Sequence, residues 1–185
     1  LVHGAQSIRS HAPIPKMGSL RSKGWVSEVQ DKGKGAVVMI DTETSDADGR
    51  LIVETQWHIY CRGQGGFGGA RGDSPVLLSI REVSKPVFQT SMQTSAEQAL
   101  LYRLSGDLNP LHVDPALAEE SGFSAPILHG LCTYGFVTRA IIEHLCADRP
   151  QQLKSFSARF SREVYPGDTL MVNAVPTANE NTFRI

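Results

Sequence analysis

Residues 20–61 alternate apolar and polar side chains with the two-residue period of β-structure. In LIVETQWHIYC (51–61), Leu51, Val53, Thr55, Trp57 and Ile59 fall on one face, against Glu54, Gln56 and His58 on the other. Asp48-Gly49 is a hairpin signal that pairs this run with AVVMIDTET (36–44). DKGKG (31–35) turns that strand back onto SLRSKGWVSEV (19–29), so the spacing predicts a three-stranded antiparallel meander.

After Pro86 the period becomes helical. In TSAEQALLYRLSG (94–106), Thr94 and Glu97 have the spacing of a capping box, Ala96, Leu100 and Leu104 form an apolar stripe, and Gly106 is placed to end the helix. Asp114-Pro115 opens a short second helix that stops near Gly122. From Gly130 to about Cys146 a third helix carries Leu131, Tyr134, Phe136, Val137, Ile141, Ile142 and Leu145 on nearly every side, as a helix wrapped by a sheet would. FSARFSREV (156–164) and DTLMVNAV (168–175) add two strands around the turn YPGD (165–168). Strands, then helices, then strands predict an α+β architecture in two similar halves: a partial N-terminal half at 1–72, a linker at 73–85 and a second half at 86–185.

Composition narrows the function classes. Hydrophobic residues at 41% and charged residues at 20% fit a globular domain. A net charge of −1 without a Lys/Arg run argues against nucleic acid or a membrane surface as partner, so an anionic ligand must be held by local groups. Cys61, Cys132 and Cys146 lack metal-ligand spacing and read as reduced intracellular thiols, with a cytoplasmic location expected and a peroxisomal one the alternative. No metal and no cofactor are called for. RGQGGFGGARGDSP (62–75) contains G-x-G-x-x-G at Gly63, Gly65 and Gly68, but Gly69, Gly72 and Pro75 leave no room for the helix that a dinucleotide site needs. A flexible loop between halves is the expectation, with Arg71-Gly72-Asp73 a chance tripeptide. Both ends of the chain, LVHGAQ and NTFRI, look cut.

Candidate chemistry concentrates in YRLSGDLNPLHVDP (102–115). Asp107 follows a helix C-terminus, where the macrodipole is negative, and burial would raise its carboxyl pKa further. Pro110 fixes its own φ and keeps Asn109 out of the helical region, so the Asp107–His112 separation should be well defined. Asn109 offers a donor and an acceptor to orient a water. An ordinary Asx turn with an edge histidine would use the same residues. PILHGL (126–131) shifts the balance, because Gly130 opens the buried helix with an N–H that can meet a developing oxyanion. A proton-transfer pair beside one oxyanion donor suits chemistry next to a carbonyl.

YRLSGDLNPLHVDPALA followed by APILHGLCTYGF resembles the hydratase 2 (MaoC-like) family of (R)-specific enoyl-CoA hydratases. LVHG, DKGKG, GGFGGARG and ARFSREVYPGDTL extend the likeness to its two-domain type, as in the hydratase part of peroxisomal multifunctional enzyme type 2. The resemblance implies a double hot-dog fold, truncated here at both ends, in which a curved antiparallel sheet surrounds a long helix. It implies a hydro-lyase that adds water reversibly and syn to trans-2-enoyl-CoA in fatty-acid β-oxidation. Asp107 and His112 would hold the water, Asn109 would orient them, and the Gly130 N–H would bind the thioester oxygen. Acyl-CoA contacts are implied for His3, Gly4, Lys32, Leu108, Pro110, Leu111 and Phe160, and a homodimer is compatible; His129 reads as structural. Rival readings are a dehydratase acting on carrier-protein or small-acid thioesters, a thioesterase, and a non-catalytic acyl-thioester binder. Weak or absent activity is expected of the isolated chain.

Overall fold

A computed structural model of the chain describes residues 1–72 and 85–185. The linker assigned to 73–85 therefore lies, except for its last residue, outside the described residues, as does Asp73. Leu1–Ser74 with Cys146–Ser161 make one compact unit, and Pro75–Leu145 with Arg162–Ile185 make the other.

The first unit is an antiparallel sheet of β1 (Val2–Ser10), β2 (Arg21–Asp31), β3 (Gly35–Ser45), β4 (Leu51–Arg62) and β5 (Ser155–Arg159), in the order β2-β3-β4-β1-β5. The expected meander is its β2-β3-β4 portion, antiparallel throughout, with one register shift between Val26 and Glu28 and another between Thr44 and Ser45. Gly49 takes φ 82° in the β3–β4 connection and Gly33 takes φ 79° in the β2–β3 turn, backbone that L side chains rarely adopt. Polar side chains bond each other across and along the strands: Gln56 Nε2 of β4 donates to Asp41 Oδ1 of β3 at 2.8 Å, and within β4 His58 Nε2 lies 2.9 Å from Gln56 Oε1. The buried residue of β4 is Ile52, which shares the face of Glu54 rather than that of Leu51 and Val53. No α-helix occurs among the described residues of this unit.

β5 corrects the division of the chain at residue 86. Ser155–Arg159 pairs with Ala5–Arg9 of β1, across nearly the whole sequence, and so belongs to the first unit. Strand pairing is non-local, and hydrophobic alternation within 156–164 carries no information about its partner.

The second unit holds a three-stranded sheet, β6 (Phe88–Gln93), β7 (Thr169–Pro176) and β8 (Phe183–Arg184), in the order β6-β7-β8, together with α1 (Gln98–Arg103), α2 (Pro115–Glu120) and α3 (Gly130–Leu145). α3 starts where its sequence places it and runs for 16 residues. It buries Cys132, Ala140 and Ile141, and leaves one polar stripe exposed, where Arg139 Nε bonds Glu143 Oε1 at 2.7 Å. No helix among the described residues is long and apolar enough to cross a membrane.

α1 departs from its expected form. Thr94 caps no helix: its hydroxyl donates to the Asp168 carbonyl at 2.8 Å and accepts the Gly167 N–H at 3.0 Å. The helix begins three residues later, after Glu97, with no side-chain cap. Its inward residues are Ala99 and Tyr102, which pack with Leu128, Cys132, Phe136 and Val164. The expected stripe is turned outward, Leu104 being 85% exposed.

Candidate active site

α1 ends at Arg103, Gly106 turns the chain beyond it at φ 108°, and the next six residues form a chain of local bonds. Asp107 Oδ1 accepts the Asn109 N–H at 3.2 Å, and Asn109 Oδ1 accepts the Leu111 N–H at 3.1 Å. Pro110 opens a single 3-10 turn, Pro110–His112. Asp114 then caps α2 by accepting from Ala116 and Leu117 at 2.9 and 3.3 Å. Capped turn and reactive arrangement are thus the same structure, because the Asx bonds that make the turn also set the spacing of Asp107 and His112.

His112 is 9% exposed, and its Nδ1 lies 2.7 Å from the Ile127 carbonyl oxygen. A carbonyl only accepts, so Nδ1 carries the hydrogen and a neutral ring keeps its lone pair on Nε2. His129 is 1% exposed, with Nε2 3.3 Å from the Asp107 carbonyl oxygen and 4.0 Å from Asp107 Oδ2. By the same reasoning its Nε2 is the protonated nitrogen. The two imidazoles stack, with centroids 3.7 Å apart and planes at 26°. Burial first, and the neighbouring His112 second, hold His129 below the usual histidine range.

A carboxylate oxygen of Asp107 and one ring nitrogen from each histidine all lie within 4.8 Å of one another. Two hydrogen bonds of about 2.8 Å, meeting at a water's tetrahedral angle, span about 4.6 Å. A separation near the upper end of that 4.8 Å range is the span that one bridging water makes. The three donor atoms are also close enough together to hold a metal ion, although His129 Nε2 already donates its hydrogen to the Asp107 carbonyl. Burial falls on the histidines rather than on Asp107, whose side chain is 52% exposed, so the expected desolvation of the acid is not found.

Gly130 follows His129 and is the first residue of α3, so its N–H has no carbonyl one turn back within the helix. The next turn is tied off at the His129 carbonyl, which accepts from Cys132 at 3.0 Å and Thr133 at 3.3 Å. Asp107, Asn109, His112 and Gly130 thus all belong to the second unit, whose chain path brings the first three onto one turn.

The remaining expected contacts divide. Leu108 is 64% exposed and Pro110 is exposed, whereas Leu111 is buried at 7% with Ala118, Ile127, Phe123 and Tyr165. Leu111 therefore packs in the core of this unit. In the first unit His3 stacks on Trp57, with centroids 5.0 Å apart, and meets Phe160 edge-on at 5.1 Å. The Gly4 carbonyl accepts the Phe160 N–H at 2.9 Å, so His3, Gly4 and Phe160 are neighbours. Lys32 sits in the β2–β3 turn, where its ammonium donates to the Arg71 carbonyl.

Two features escaped the sequence. His129 is the larger, and its signal was a polar side chain inside the apolar run Ile127-Leu128-His129. The other is Asp31, 6% exposed, whose carboxylate accepts N–H groups from Gly33, Gly66 and Gly68, each at 2.8 Å. The described part of the glycine-rich segment is accordingly wound around a carboxylate, where a free loop was expected. These backbone bonds hold Asp31 below the usual carboxylate range, led by that from Gly66. No helix opens at residues 63–72 among the described residues.

Comparison with known proteins gives the family and the fold. The MaoC like domain matches residues 81–185, and the MFE-2 hydratase 2 N-terminal domain matches 1–63. The chain is 46% identical over 174 residues to 3-hydroxyacyl-thioester dehydratase Y of Mycobacterium tuberculosis, covering 92% of this chain and 60% of that protein. It is 41% identical over 172 residues to the probable enoyl-CoA hydratase 2 of Dictyostelium discoideum, covering 92% of this chain and 58% of the relative. The chain thus spans less than two thirds of the length of these relatives. The structure of full-length peroxisomal multifunctional enzyme type 2 from Drosophila melanogaster aligns with TM-score 0.83 at 40% identity, over 96% of this chain and 32% of that one. The fold is the α+β hot-dog fold of these proteins. With the MaoC like domain matched over more than half of its residues, the chain belongs to the MaoC-like family.

Proposed function

We propose that this protein is a hydro-lyase that adds water reversibly across the 2,3 double bond of a trans-2-enoyl thioester to give the (R)-3-hydroxyacyl thioester. The observation that carries the reading is the Asp107–His112–His129 cluster, with donor atoms within 4.8 Å and the first N–H of α3 next in the chain. The thioester oxygen accepts from the Gly130 N–H, which draws charge from C3 and stabilises the enolate-like transition state. Nε2 of His112 takes one proton of the water, Asp107 accepts a hydrogen bond from the other, and the hydroxyl adds to C3. His112 then returns its proton to C2 on the same face, so the pair ends the cycle as it began. The names of the two relatives above, a dehydratase and a hydratase, support the two directions of this one reaction.

Asn109 spends Oδ1 on the Leu111 N–H, which leaves its amide nitrogen to orient the water or the carboxylate. Lys32 is the cation proposed to meet a CoA phosphate, its ammonium held in the β2–β3 turn by one carbonyl.

The test is incubation of crotonyl-CoA with the purified protein at concentrations that reveal the weak turnover expected of the isolated chain. Loss of enoyl absorbance without release of free thiol, and an (R) product on chiral analysis, are expected. Thiol release would instead indicate a thioesterase, and no turnover of any enoyl thioester would leave a binder.

A further inference from the structure

We infer that His129 is a positioning residue, which fixes Asp107 and His112 against each other through one N–H donor and one stacked face. The inference rests on the hydration reading and deepens it. The imidazole sits between the two reacting groups and contacts both: Nε2 lies 3.3 Å from the Asp107 carbonyl, and the ring stacks on His112 at 3.7 Å. Tyr102 of α1 closes on the same ring, with centroids 4.7 Å apart and planes at 46°. His129 is thereby held between the helix that leads into Asp107 and the ring that follows it.

Three features set it apart from a core filler. Nδ1 of His129 is buried and has no hydrogen-bond partner among the described residues, an unmet acceptor that a phenyl ring of the same shape would not carry. What only the imidazole supplies is the N–H to the Asp107 backbone, at the residue whose carboxylate must face the water. The ring is also held neutral by burial and by His112, so it lends shape and a dipole without placing a second charge against the catalytic imidazole. Finally, it immediately precedes Gly130, so the residue that aligns the proton-transfer pair also sets the start of the helix that supplies the oxyanion donor. One residue thus couples both halves of the chemistry.

The test compares wild type with His129→Phe, which keeps the ring and loses the donor, and His129→Gln, whose side-chain N–H can reach the Asp107 carbonyl. Crotonyl-CoA hydration is followed for kcat and KM separately, with thermal melts to establish folding. A misplacement of catalytic groups on the order of 1 Å costs roughly 100-fold in rate. His129→Phe should therefore fold, lose roughly 10- to 100-fold in kcat and keep KM within about two-fold, while His129→Gln recovers most of kcat. A folded His129→Phe with wild-type kcat overturns the inference, as does a His129→Gln that is no better than the phenylalanine. Inactive wild-type protein would instead defeat the hydration reading. Imidazole ¹⁵N shifts then decide on His129 alone: the His112 signals should move in His129→Phe, and unchanged signals overturn the positioning role.

Discussion

Leu111→Ala separates a core residue from a substrate contact. Leu111 adjoins His112, is 7% exposed and is walled by Ala118, Ile127, Phe123 and Tyr165. Truncation to alanine removes three carbon atoms from an environment that is almost fully dry. At about 0.8 kcal/mol per buried carbon the transfer loss alone is about 2.4 kcal/mol. A residual cavity adds to this, and buried leucine-to-alanine changes cost about 2–5 kcal/mol in total. Phe123 and Tyr165 are only partly buried and can lean into the gap, which places the expected loss near 3 kcal/mol. For a chain of this length that lowers Tm by roughly 6–12 °C. The assay is a thermal melt by far-UV circular dichroism, beside KM for crotonyl-CoA measured well below the transition. Leu111→Met, which nearly conserves volume, should cost less than about 1.5 kcal/mol. A Leu111→Ala protein that melts with wild type while its KM rises several-fold would refute the packing argument and restore Leu111 as a ligand contact.

Other consequences follow from single bonds. Asp114→Ala removes the cap of α2 and should cost about 1 kcal/mol in urea denaturation, with Asp114→Asn retaining most of it. Because backbone N–H groups depress the folded pKa of Asp31, its stabilising contribution is present above the ordinary carboxylate range and is lost as pH falls through the lowered value. Proteolysis within Gly63–Gly72 should therefore be faster in Asp31→Asn than in wild type near neutral pH, and the difference should close in acid. Lys32→Ala should raise KM for a CoA thioester roughly five-fold, the worth of one exposed charge contact of about 1 kcal/mol, and leave KM for a thioester without phosphates unchanged.

What the sequence disclosed is what local chemistry decides. Asp114-Pro115 caps α2 with its own side chain, the β2–β3 turn has Gly33 at positive φ, and the apolar load that follows Gly130 on nearly every side marks α3 as a buried helix. The Asp107–His112 spacing was legible for the same reason, since Pro110 and two Asx bonds fix it within six residues. Tertiary partners were not legible. Thr94 has cap chemistry, but the Asp168 carbonyl and Gly167 N–H, more than seventy residues away, compete for its hydroxyl and win. Once the helix starts late, Ala99 and Tyr102 turn inward, and the periodic stripe of Leu100 and Leu104 faces out. Asp31 looks like any turn aspartate until Gly66 and Gly68 arrive from the far end of β4. His129 reads as structural by itself, and only the stacked His112 and the Asp107 carbonyl give it a role.

The decisive measurement is the turnover of crotonyl-CoA by Asp107→Asn and His112→Ala beside wild type, with folding checked by circular dichroism. Loss of the His112 general base should lower kcat by roughly 10²- to 10⁴-fold, and Asp107→Asn, which removes the charge that holds the water's second hydrogen, should lower it by at least about ten-fold, both variants remaining folded. A folded variant of either kind that still hydrates at the wild-type rate would mean that water is activated elsewhere, and the cluster beside Gly130 would be a capped turn and nothing more.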